Sequence, residues 1–86
     1  MPTISEFFGI IISMYWDDHN PPHFHARYGS QKAIFDIKTG KKIKGTFSKR
    51  GQKLVEEWAK LRRSDLEKDW ELCVQKKMPI KIKPLD

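Results

Sequence analysis

All three histidines of the chain, His19, His23 and His25, fall within seven residues, beside Asp17, Asp18 and Arg27. Imidazole titrates near neutral pH, so a pair of them can remove one proton while delivering another. An arginine alongside can hold a phosphate and stabilise charge that builds on it. These residue types together suit metal-independent cleavage of RNA. One His takes the ribose 2′-hydroxyl proton, the other protonates the leaving oxygen, and Arg27 binds the phosphate. His23 and His25 are the candidate acid/base pair; Asp18 or Asp17 would orient His19 or His23.

The same residues allow a metal site. His-x-His on a strand is a common ligand pair, and His19 with Asp17 or Asp18 could complete a set for zinc, manganese or iron. No cysteine cluster supports that alternative. The plain alternative is a solvated strand face: His19 and Asn20 in a proline turn, His23 and His25 as polar surface residues. Against it stands the density of His, Asp and Arg in eleven residues.

The elements that must position these groups follow from periodicity. Residues 4–17 read as one long strand, bent near Gly9. Phe8, Ile10, Ile12, Met14 and Trp16 share one face; Phe7, Ile11, Ser13 and Tyr15 share the other. Asn20-Pro21-Pro22 makes a turn. Residues 23–28 form a strand that sends Phe24, Ala26 and Tyr28 inward and His23, His25 and Arg27 outward. Residues 31–38 follow, with Ala33, Phe35 and Ile37 inward and Lys32, Ile34, Asp36 and Lys38 outward. A strand at 43–47 places Ile43 and Phe47 inward and Lys44 outward. Short connections favour an antiparallel meander.

From Ser48, a candidate N-cap, the period becomes helical. Leu54, Val55, Trp58, Leu61, Leu66, Trp70, Cys73 and Val74 form the apolar stripe. Ser64 with Glu67 has the pattern of a capping box, so the segment reads as one kinked helix or two. Ile80-Lys81-Ile82 alternates again, as a candidate final edge strand. The expected fold is thus α+β: a β-meander of about four strands, one long or kinked C-terminal helix on one face, and the other face open. Trp16, Trp58, Trp70, Phe24 and Tyr28 are expected in the core.

The chain of 86 residues suffices for a single domain, 1–86. Its 17 Lys and Arg against 11 Asp and Glu leave a net charge of +6, which attracts phosphate backbones or an acidic protein. No acidic residue lies between Asp36 and Glu56, whereas Lys38, Lys41, Lys42, Lys44, Lys49 and Arg50 all do. With Lys32 they form the candidate nucleic-acid-binding set, the row Lys32, Lys38 and Lys44 being expected on the histidine face. The longest apolar run, Phe7 to Met14, falls far short of the ~20 residues of a membrane span. One cysteine excludes an internal disulfide. A cytoplasmic protein with no cofactor and no membrane partner is the expectation.

Asp18-His19-Asn20-Pro21-Pro22-His23-Phe24-His25-Ala26 resembles the distinctive motif of a bacterial family, domain of unknown function 4160. Pro2-Thr3-Ile4-Ser5, Phe8-Gly9-Ile10 and Met14-Tyr15 are similar to its opening. Leu54-Val55-x-x-Trp58, Leu66, Trp70 and Ile82-x-Pro84-Leu85 are similar to its second half. The family has no assigned activity. Its members often stand beside another small gene in an arrangement like a toxin–antitoxin pair. The resemblance therefore implies a toxin-like protein neutralised by an acidic antitoxin-like partner, with endoribonuclease activity as the candidate chemistry. A non-enzymatic regulatory module that binds nucleic acid or protein is the alternative, and a His-based metal-binding protein the second.

Overall fold

A computed structural model describes residues 2–16 and 19–86. The elements run β1 (Thr3–Phe7), β2 (Ile10–Ser13), β3 (His23–Tyr28), β4 (Gln31–Asp36), β5 (Lys42–Gly45), α1 (Lys49–Leu61) and α2 (Arg63–Val74). The strands form one antiparallel sheet in chain order, β1-β2-β3-β4-β5. The α+β meander is as expected, with five strands in place of about four and two helices in place of one long one.

The fifth strand arises because 3–13 is a hairpin, not part of a single strand. Phe8 and Gly9 both adopt left-handed backbone, at φ 51° and 80°, and close a two-residue turn that matches the twist of the flanking strands. Pairing Phe7 with Ile10 puts both on the buried face, so Phe7 joins the core and Phe8 is left 59% exposed at the tip. Ile4 slips into a bulge between Thr3 and Ser5 and is also buried. Trp16, expected in the core, is exposed, because β2 ends at Ser13 and the alternation stops with it.

Ser48 caps α1, its hydroxyl accepting the Gly51 N–H at 3.0 Å. Gly51 lies so close to Phe47 that a Cβ there would stand 2.9 Å from the ring. α1 buries Val55, Trp58 and Ala59, and α2 buries Leu66, Trp70 and Cys73. They meet the inner sheet residues Ile10, Ile12, Phe24 and Phe35, and Met14 just past β2, in one core. Phe24 stacks on Phe35 and meets Trp58 edge-on. Leu61 and Val74, read as part of the stripe, are exposed at the ends of their helices. The capping box is not formed: Arg62 occupies the N-cap of α2, with no side-chain cap, and Ser64 lies inside the helix. The Arg62 N–H still bonds the Trp58 carbonyl, so the chain turns without a gap long enough for Ser64 to cap.

α2 ends in a Schellman turn. Lys76 is left-handed, its N–H bonds the Cys73 carbonyl, and the Lys77 N–H bonds the Leu72 carbonyl. The tail beyond it is not a strand. Pro79 and Pro84 supply no N–H on either side, and Ile82 donates a single ladder bond, 2.7 Å, to the Ile4 carbonyl. Ile80 donates to Asp69 Oδ1, and the Lys83 carbonyl accepts the Trp58 indole N–H at 2.9 Å. The tail thus straps the free side of β1 to the helices.

Candidate functional site

Both helices cover one face of the sheet and leave the other open. The pairing register lays the open face out as rows. Thr3, Ser13, His25, Ile34 and Lys44 are successive partners across all five strands. Glu6, Ile11, Arg27 and Lys32 form the next row. His23 and Asp36 are partners on the far side of His25. Neighbouring strands are ~4.8 Å apart and neighbouring rows ~6.5–7 Å, so His25, Arg27, Lys32 and Lys44 sit within reach of a single nucleotide step. Over them lies a groove of about 440 Å³. Its floor is Ile11 and Ile34; Ser13, Tyr15 and His25 line one end, and Arg27, Lys32 and Lys44 the other.

His25 packs edge-on to Tyr15, with ring centroids 4.4 Å apart. His23 lies 5.4 Å from His25 and 5.3 Å from Trp70 of α2, so its ring is held between the helix and the groove residue. The Nδ1 of His23 stands 2.7 Å from the Pro21 carbonyl oxygen. A carbonyl only accepts, so Nδ1 is the donor in this contact. The proline turn therefore anchors the ring as well as setting the path of the chain.

Arg27 and Lys32 face each other directly across β3 and β4, and neither forms an ion pair among the described residues. Like charges opposite one another weaken a sheet. An anion between them would convert that repulsion into attraction, and Lys44 adds a third cation beside it.

The other expected site residues that the structure describes are dispersed. His19 is exposed in the turn and does not line the groove. Asp17 and Asp18 lie outside the described residues. Among the described residues no three His, Cys, Asp or Glu side chains are grouped to hold a metal ion. Lys38 does not continue the row of Lys32 and Lys44. β4 ends at Asp36, whose Oδ1 accepts the Thr39 N–H and whose carbonyl accepts the Gly40 N–H, so Lys38 rides on the turn. Lys41 lines a separate hollow against the helices, beside Glu56, Lys60 and Arg63. Lys42 opens β5 and is half-buried; Lys49 and Arg50 lie in the first turn of α1. Ile43, expected inward, is 51% exposed, because β5 is the sheet's edge strand. Tyr28 is exposed at the end of β3 and leans over Gly9 instead of entering the core.

Sequence reasoning did not place Trp70 against His23, nor Asp36 across from it. The strand boundaries, once known, give the second of these directly. Asp69 was also missed. It is fully buried on α2, and burial pushes its carboxyl above the ordinary value; the Ile80 N–H draws it back down, and Asp65 raises it further. Among the described residues its Oδ2 has no hydrogen-bond partner.

A family model described as "Domain of unknown function (DUF4160)" matches residues 9–71. No curated protein and no solved structure matches the chain.

Proposed function

The chain belongs to the family described as domain of unknown function 4160, a description that assigns no chemistry, and we propose from the open sheet face that it binds RNA there and cleaves it with histidine acid/base chemistry. The observation that supports this most is the row geometry: His25 shares one groove with Arg27, Lys32 and Lys44, and His23 stands 5.4 Å behind it. Arg27 and Lys32 hold the phosphate. His23 removes the 2′-hydroxyl proton, the 2′-oxygen attacks phosphorus, and the P–O5′ bond breaks as His25 delivers a proton to the leaving oxygen. The products are a 2′,3′-cyclic phosphate and a 5′-hydroxyl. In the cell this is the toxin-like half of a two-gene pair with an acidic partner, a role supported by the +6 charge and by the sequence resemblance.

The test is cleavage of a short RNA by purified protein in the presence of chelator, read by the cyclic-phosphate terminus. Each histidine is worth ~10²–10⁴-fold in such chemistry. Intact RNA with wild-type protein, or equal cutting by His25→Ala, sinks the proposal.

A second reading, a module that binds nucleic acid without turnover, is favoured by one observation. His23 is committed to Trp70 and to the Pro21 carbonyl, as a structural residue would be. It predicts salt-sensitive binding that survives loss of both histidines and disappears with Arg27 and Lys32.

A further inference from the structure

At the tip of the β1–β2 hairpin Phe8 adopts φ 51°, a conformation that suits Asn or Gly and strains a bulky side chain. Its ring is exposed, held edge-on by Phe7 at 6.4 Å. Tyr28, 48% exposed, lies against the backbone of Gly9, where an added Cβ would stand 3.0 Å from its ring. Between Phe8, Tyr28 and Leu54 is a dimple of about 340 Å³, with Ser48 and Arg50 at its rim. Arg50 and Leu54 also line a second hollow with Lys49 and Lys53, so an apolar depression runs on into a basic one along α1. The first turn of α1 carries no acidic residue. The two hollows share no residue with the histidine groove.

We propose that this surface docks an extended segment of an acidic partner protein, with one bulky apolar side chain in the Phe8–Tyr28–Leu54 dimple and carboxylates over Lys49, Arg50 and Lys53. A strained, exposed aromatic works against stability, and such positions gather where a surface has a binding role. Three cations against one lining glutamate, Glu57, favour an acidic occupant. A second copy of this chain would set the same cations against each other. The occupant's role as neutralising partner rests on the paired-gene reading above; the docking surface itself does not.

The probe is a short polyglutamate peptide with one central phenylalanine, titrated into the full-length isotope-labelled protein and followed by amide shifts. Saturable binding with shifts at Phe8, Tyr28, Arg50 and Leu54 is expected. Replacing the central phenylalanine with alanine, or the glutamates with lysines, should weaken it about tenfold or more. The variant Phe8→Asn fits the turn better, so it should hold or raise Tm while weakening the peptide about tenfold. Absence of saturable binding, shifts centred on His25 and Arg27, or unchanged affinity for Phe8→Asn overturns the proposal. So does a lowered Tm for that variant, since Phe8 would then be structural. RNA cleavage is measured on the same samples. Phe8→Asn should cut as wild type does, and cleavage absent throughout would remove the catalytic reading while leaving the docking result standing.

Discussion

The ring of Tyr15 meets the ring of His25 edge-on, 4.4 Å between centroids and 82° between planes. The contact joins the end of the first hairpin to β3 and sets which way His25 faces in the groove. Edge-to-face pairs add ~0.5–1.5 kcal/mol beyond area burial. Tyr15→Phe should preserve it and leave RNA cleavage within a fewfold of wild type. Tyr15→Ala should loosen His25 and lower kcat more than it raises KM. Equal loss in both variants would instead implicate the phenol hydroxyl.

Arg27 and Lys32 oppose each other with like charge. Neutralising either, as Arg27→Gln or Lys32→Gln, should leave Tm unchanged or slightly higher, because a repulsive cross-strand pair is removed. The same variants should bind RNA more weakly and reduce the slope of log affinity against log salt by ~0.7 for each lost phosphate contact. A fall in Tm would mean the pair is structurally supported. An unchanged slope would mean that phosphate lies elsewhere.

Asp69 gives the fold a pH dependence of definite sign. Burial raises its carboxyl above the ordinary 3.8, so folding favours the protonated acid. Its stabilising contribution is complete below 3.8 and is lost as pH rises through the raised folded value. Asp69→Asn keeps an oxygen to accept the Ile80 N–H and carries no charge. Urea melts across pH should show the variant gaining on wild type from acid to neutral pH. A wild type that gains on the variant over that interval would contradict the assignment.

Gly45 has φ 97°, and an added Cβ would collide with the Lys32 carbonyl oxygen and stand 2.7 Å from the Ala33 Cα. Both obstacles are backbone. Gly45→Ala should therefore cost ~2 kcal/mol or more, by strain together with displacement of β5. Chemical denaturation measures it. A cost below ~0.5 kcal/mol would show that β5 can shift away freely.

Much of the sheet was legible because period-two alternation is strong where one face is buried. His23–Tyr28 was placed to the residue, and with it the outward direction of His23, His25 and Arg27. The Ser48 cap was legible for the same kind of reason, a small hydroxyl residue at a change of period. What escaped was turn chemistry. A phenylalanine in the first position of a two-residue turn carries no turn signal, so the hairpin at Phe8-Gly9 read as continuous strand and the first strand's faces were misassigned near its tip. Asp36 likewise gave no local sign that it would end β4 by capping its own turn, which removed Lys38 from the basic row. The neighbours of His23 depend on α2 reaching the strand's start, a contact between residues far apart in the chain.

The strap from Ile80 to Lys83 runs along the outer margin of β1, while among the described residues no segment runs along β5 at the opposite margin. A sheet that can lengthen at one side only cannot propagate. Were two molecules to join through β5, each would use up the other's open margin, so pairing by that route would end in a closed twofold pair.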